Sequence, residues 1–235
     1  MKFAIVNSTR IEAKKGLVGS CPCCGTEVLP VLPVEKVDHW RHKSTKDCDP
    51  SKESETIWHR NWKNMFSVNF QEIVFSDTQT GERHIADIAL GTHPNFKIIE
   101  FQHSPISDEE ILSRESFYMQ SMQMYWVVHL HDDGAFHRTN FSLSLGISEQ
   151  VFFEDKKFLV SSWVSRGGSR FIEKWKATKA NIIFDVGNPD VLFILIKEAS
   201  LIDVKRQFSK KEFAVRAIRK TEFISSVGLT EGGSK

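Results

Sequence analysis

Two apolar runs carry polar side chains where a buried strand would normally have none. In "RHIADIALG", residues 83–91, Asp87 shares a strand face with Ile85 and Ala89. In "KIIEFQHSPIS", residues 97–107, Glu100 and Gln102 point one way and Ile99 and Phe101 the other. An acid inside an apolar strand costs free energy unless it is paired or binds a cation. Two such carboxylates on adjacent strands can share one divalent ion, and oxygen ligands suit magnesium or manganese. Gln102 can add its carbonyl or position a water. Upstream, Glu55, His59 and Lys63 are spaced four and four, which stacks them on one face of a helix; downstream, Arg114 and Tyr118 are four apart on a second helix. Alone, the first stripe would read as a solvated helix face and Asp87 as a structural partner of Arg83 or Arg114. Together the residues suit phosphoryl chemistry: a metal to polarise phosphorus, a water to attack, and cations around the scissile phosphate.

A second constellation lies nearer the N-terminus. "CPCCG" offers Cys21-x-x-Cys24, a knuckle whose glycine lets the backbone turn so that both sulfurs face one ion, and fourteen residues separate Cys24 from His39 in "HWRHKSTKDC". Cys21 and Cys24 are the firm pair. The other two of four zinc ligands come from His39, His42 and Cys48, either His42 with Cys48 or His39 with His42. Cys23 has the wrong spacing and reads as a spare. All four cysteines of the chain are crowded within residues 21–48, which favours a metal over a stapling disulfide. A region this small and polar cannot fold on core burial alone, so the zinc is expected to be structural. It would also set Arg41, Lys43 and Lys46 against a nucleic-acid backbone.

The elements that must position these groups read as a mixed α/β chain. "SKESETIWHRNWKNMF" is expected to be a helix with Ser51 or Ser54 as cap; "SVNFQEIVFS", "RHIADIALG" and "FKIIEFQHS" are strands separated by turn residues; "SDEEILSRESFYMQSMQ" is a helix capped by Ser107; and "MYWVVHLH" is a buried strand. The order is αβββαβ. Beyond it, "VFFEDKKFLVSSW" and "ANIIFDVGNPDVLFILIKEAS" are strand patterns joined by a turn at Gly167 and Gly168, with Asp185 and Asp190 as turn residues. Trp163, Phe171 and Trp175 sit among cations, a pattern that can stack bases but reads better as core. His84, His93, His129 and His131 read as surface or packing residues. The net charge of +1 excludes a whole-molecule basic field, although "KKEFAVRAIRK" near the C-terminus is a local basic patch. No apolar run approaches a membrane span, and the N-terminus is charged too early for a signal peptide, so a cytoplasmic protein with no membrane partner is expected.

The ordered set "ADIAL…KIIEFQHSPIS…R…Y…YWV", with "CPCCG", "HWRH" and "ESETIWHRNWK" upstream, is similar to the competence protein CoiA-like family, a branch of the PD-(D/E)xK nuclease superfamily. The resemblance covers residues 17–130 well. It implies a restriction-endonuclease-like core at 51–131, a zinc-binding element at 1–50 and a β-rich extension with a basic helix at 132–235. It also implies a metal-dependent nuclease acting on single-stranded, duplex or branched DNA, in uptake, recombination or defence. Asp87 and Glu100 would be the acids that bind magnesium or manganese, and Glu55 the acid of the first helix. Arg114 and Tyr118 would approach the phosphate backbone. Gln102 departs from the pattern, because it stands where the superfamily has a lysine, and glutamine carries no charge. Lys97 is on the opposite face from Glu100, so in an active site either Lys63 or His59 replaces that cation, Lys63 being the better placed, or the metal alone activates water. If neither holds, the chain is a zinc-containing nucleic-acid-binding module with an inert site, or a scaffold for interactions.

Overall fold

The computed structural model describes residues 1–44, 55–92, 94–133 and 135–228. Ser51, Ser54, Cys48, Lys46 and His93 lie outside them. The chain divides into two compact units, 1–90 with 98–104 and 91–97 with 105–235. Its elements alternate in the mixed α/β manner expected, and the αβββαβ order is present. No helix among the described residues is long and apolar enough to cross a membrane.

The first unit begins with an antiparallel sheet of five short strands: β1 (Phe3–Val6), β2 (Thr9–Glu12), β3 (Gly19–Ser20), β4 (Glu27–Val31) and β5 (His39–His42), ordered β2-β1-β3-β4-β5. Its apolar side buries Ala4, Cys21, Val28 and Trp40 together with Ile85 from further along the chain, so this small sheet does not rely on its own core alone. Helix α1 (Ile57–Lys63), a 3₁₀ turn at Val68–Phe70, and strands β6 (Gln71–Ser76), β7 (Arg83–Leu90) and β8 (Lys97–Gln102) complete the unit, the strands lying in the order β6-β7-β8.

Helix α1 begins later than the sequence suggested, which corrects the expected helix over 51–66. Thr56 is its N-cap. The Thr56 hydroxyl accepts the His59 backbone N–H, and His59 Nδ1 accepts the Thr56 backbone N–H, forming a reciprocal capping box. Glu55 therefore precedes the helix. Trp58 and Trp62, four apart, hold α1 on β8 by ring contacts with Phe101, the Trp62 ring stacking at 5.5 Å.

The β6–β7 hairpin is set by its turn. Asp77 Oδ1 accepts the backbone N–H groups of Gln79 and Thr80, and Gly81 takes φ +76°, which a glycine adopts without steric cost. The resulting register pairs Gln71 with Ile88 and Ile73 with Ala86, which sets Glu72 opposite Asp87.

The second unit contains α2 (Asp108–Tyr118), β9 (Gln123–His129), α3 (His137–Gly146), β10 (Glu149–Phe153), β11 (Lys156–Ser162), α4 (Arg170–Ala177), β12 (Asn181–Asp185), β13 (Val191–Ile196), β14 (Glu212–Arg219) and α5 (Lys220–Gly228). Ser107 caps α2 as expected, accepting the Glu110 backbone N–H. The strands run β10-β11-β14-β13-β12-β9, with β9 and β12 parallel and the other pairs antiparallel.

Three expectations are corrected in this unit. The basic stretch "KKEFAVRAIRK" is strand β14 over most of its length, because Phe213, Ala214 and Val215 are buried between β11 and β13. Helix α4 lies between the strand patterns that Gly167 and Gly168 seemed to join. Helix α3 opens the extension that was expected to be β-rich. Trp163 and Trp175 are buried in the core, and Trp163 stacks on the half-buried Phe171 at 5.0 Å.

Candidate acidic and metal sites

Three carboxylates of the first unit converge on one ammonium. Lys63 Nζ donates to Glu72 Oε1 at 2.9 Å, lies 3.0 Å from Asp87 Oδ1, and is 3.7 Å from Glu55 Oε1. Lys63 is 1% exposed, so this stripe is not a solvated helix face. Burial alone would push its pKa down. Asp87, Glu72 and Glu55 outweigh burial and hold it well above the ordinary lysine value, so Lys63 is a permanent cation and not a proton acceptor.

Each acid is held by a different part of the unit. Asp87 Oδ2 accepts the Phe101 backbone N–H at 3.1 Å, which ties β7 to β8 through a side chain. Glu72 accepts the backbone N–H groups of Lys2 and Phe3, anchoring β1. It adopts φ +46°, a left-handed conformation unusual for a residue with a side chain and costing on the order of 1 kcal/mol. Directly opposed like charges destabilise a strand pair. Lys63 sits against both Glu72 and Asp87 and removes that repulsion. Glu55 Oε1 accepts from Arg60 Nε at 2.8 Å, while Glu55 Oε2 is buried with no hydrogen-bond partner among the described residues.

The remaining expected residues are placed as follows. Glu100 and Gln102 are buried on β8, 4% and 5% exposed, and Gln102 Nε2 donates to the Ser104 carbonyl at 2.7 Å. His59 spends both ring nitrogens on structure: Nδ1 accepts the Thr56 N–H, so Nε2 carries the proton that goes to the Phe101 carbonyl, 3.2 Å away. Arg114 and Tyr118 belong to the second unit, where both are buried and Arg114 Nε donates to Glu110 Oε1. Glu72 and Arg60 escaped the sequence reading. The signal for Glu72 was available, since an acid beside a strand pattern faces Asp87 once the hairpin register is counted.

The N-terminal sheet gathers the cysteine site. The donor atoms of Cys21, Cys24 and His42 lie within 4.8 Å of one another, close enough to hold one metal ion. The knuckle is closed by Cys21 N–H to the Thr26 carbonyl and Gly25 N–H to the Cys21 carbonyl, with Gly25 at φ +75°. His42 Nε2 is 3.5 Å from Cys24 Sγ, and Thr26 Oγ1 is 3.0 Å from it. Burial would raise the Cys24 pKa, but hydrogen bonds from the Thr26 side chain and backbone, His42 and Cys21 bring it down to about 6, and a metal-ligating thiol must lose its proton. His39, three residues from His42 on the same strand, turns its Nδ1 to the Val37 carbonyl instead and is not in the cluster. Cys48 lies outside the described residues.

The first unit thus brings together strand acids around one lysine, and a Cys/His group that could hold a metal ion. Residues 62–159 match the family model described as competence protein CoiA, nuclease-like domain, so the resemblance to the CoiA-like family is borne out over that span. Lys63, Asp87, Glu100, Gln102, Arg114 and Tyr118 fall within it, whereas Glu55, His59 and the cysteine knuckle precede it. No curated protein and no solved structure shows significant similarity to the chain.

Proposed function

We propose that the chain is a metal-dependent nuclease that hydrolyses DNA phosphodiester bonds. The observation that carries this reading is the Lys63 ammonium, 3.0 Å from Asp87 Oδ1. It supplies from a helix the fixed positive charge that Gln102 cannot supply from the strand.

The donor set suits a hard divalent cation. Asp87 presents two carboxylate oxygens, and Glu55 a buried oxygen without a partner among the described residues. Asp87 and Glu100 would hold magnesium or manganese. Such an ion, when bound, polarises the phosphate and lowers the pKa of a water. Lys63 lies where it can stabilise the charge that develops on a phosphate oxygen, and its raised pKa keeps that charge at neutral pH. Asp87, fixed by the Phe101 N–H, orients Lys63. Gln102 positions the end of β8 through Ser104. Zinc at Cys21, Cys24 and His42 would brace the sheet whose β1 backbone is anchored by Glu72.

A second reading is favoured by the same ion pair. If Lys63 only neutralises the acids, the site is inert and the chain is a nucleic-acid-binding module. The deciding experiment incubates linear duplex, single-stranded and branched DNA with magnesium or manganese and with wild type, Asp87→Asn or Lys63→Met. Cleavage by wild type that both substitutions abolish, with folding intact by circular dichroism, supports the nuclease. Binding without cleavage of any substrate establishes the second reading. Cleavage that survives Asp87→Asn refutes this site.

A further inference from the structure

Wholly within the second unit lies a cavity of about 510 Å³, in the size range of small-ligand sites. Its charged lining is Lys176, Lys197, Lys205 and Arg206 against the single carboxylate of Glu198, and Phe208 contributes an aromatic wall. Four cations against one acid is an unbalanced set. Arg206 also reaches Glu212, which does not line the cavity, so the excess is two positive charges even when that pair is counted as neutral.

The cations divide by what holds them. Lys197 Nζ donates to the Thr178 carbonyl, the Thr178 hydroxyl and the Ala180 carbonyl. Lys176 Nζ donates to the carbonyls of Ser209 and Glu212. Both ammonium groups are thus fixed in the wall and act through their field. Burial pushes both pKa values down, that of Lys197 to about 8, as expected of cations in a partly dry site without enough counter-charge. Lys205 is exposed at the cavity and makes no hydrogen bond or ion pair with any described residue, so its three donors are available to a ligand. The Lys176 ammonium lies 5.9 Å from the centre of the Phe208 ring, which places a flat apolar face beside the charge.

We propose that this cavity binds a nucleoside phosphate, its phosphate held by Lys205 and Arg206 over the wall cations and its base against Phe208. Stacking on one aromatic ring and charge-assisted bonds to one phosphate are the recognition elements of nucleotide sites. The ligand is either a free nucleotide or the phosphorylated end of a strand. This site is separate from the acidic residues of the first unit and does not depend on their activity.

The test is calorimetric titration of the full chain, without added divalent ions, using deoxyadenosine monophosphate, deoxyadenosine, and a hexanucleotide with and without a 5′-phosphate. Deoxyadenosine monophosphate is expected to bind at one site, with deoxyadenosine at least about tenfold weaker. Lys205→Glu is expected to weaken the nucleotide by roughly tenfold or more, and Phe208→Ala by a few-fold. Lys205→Ala serves if the charge reversal fails to fold. Hexanucleotide binding that requires the 5′-phosphate assigns the site to strand ends, whereas binding of the mononucleotide alone assigns it to free nucleotides. The proposal is overturned if wild type binds no nucleotide at millimolar concentration, if deoxyadenosine binds equally well, or if affinity ignores Lys205.

Discussion

Lys63→Met removes one positive charge from among three buried acids and keeps most of the side-chain volume. At 2.9, 3.0 and 3.7 Å from Glu72, Asp87 and Glu55, and with an effective dielectric of about 20, each attraction is worth roughly 4–6 kcal/mol before desolvation. Returning the ammonium to water in the unfolded chain offsets much of that sum, and Arg60 continues to compensate Glu55. What remains is the cost of leaving buried carboxylates unbalanced, about 3–5 kcal/mol. Urea denaturation followed by tryptophan fluorescence measures it, with Trp58 and Trp62 on the same helix as reporters. The double variant Lys63→Met/Asp87→Asn removes one of the stranded charges and should recover at least about 1 kcal/mol relative to Lys63→Met alone. The pH dependence has a definite sign. A lysine whose folded pKa lies above its unfolded value contributes stability that is fully present below about 10.5 and lost as pH rises beyond it. The difference between wild type and Lys63→Met should therefore not decline between neutral pH and about pH 10. A loss of less than about 1 kcal/mol, or no recovery in the double variant, would refute the claim that Lys63 holds the three acids together.

Further outcomes follow from other parts of the structure. Purified protein should contain one zinc by elemental analysis, lost in Cys24→Ser and His42→Ala with a lowered Tm; His39→Ala should keep it, and loss of zinc from His39→Ala would overturn the ligand assignment. Glu72→Ala should cost about 2–3 kcal/mol, since it strands the Lys2 and Phe3 amides as well as Lys63, and Glu72→Gly should cost less than Glu72→Ala because glycine accepts φ +46° without strain. A glycine variant less stable than the alanine variant would contradict this. Lys197 titrates near 8 when folded and near 10.5 when unfolded, so between those values the unfolded chain binds the extra proton and stability rises with pH relative to Lys197→Met; a stability difference that falls across that window would refute it.

The strand acids were legible because strand periodicity is local. Asp87, Glu100 and Gln102 interrupt apolar runs, and the mismatch between side chain and environment is visible without a fold. The CxxC knuckle was legible for the same reason. Glu72 was not, because its importance is a matter of register: only when the Asp77 turn fixes the β6–β7 hairpin does it face Asp87. Glu55 was legible as a residue but not as geometry. It reaches Lys63 from before the N-cap, so the helical spacing that suggested the contact is not what produces it. Helix α3 was hidden because "HRTNFSLSLG" buries only Phe141 and Ser144, too few positions to make a helical stripe. Strand β14 was hidden because its charges, Arg216 and Arg219, invite a surface reading, although Phe213 to Val215 are enclosed between two neighbouring strands.

Within the proposed nuclease reading, bonding favours Lys63 over His59 as the replacement for the strand lysine, a choice that spacing leaves open. Both are on α1, four residues apart, and both are buried. His59 has one ring nitrogen on the Thr56 amide and the other on the Phe101 carbonyl, so it is fully employed in starting the helix and fastening it to β8. Lys63 has three carboxylates around its ammonium, and its charge is stabilised by the same acids that would recruit a metal. His59 and the Trp62–Phe101 stack set where the end of α1 falls relative to β8. Phe101 is also the residue whose amide holds Asp87. One residue of β8 thus fixes both the acid and the helix that brings the cation to it. On the proposed nuclease reading, a glutamine at position 102 is tolerable because a helix docked onto that strand supplies the positive charge beside Asp87.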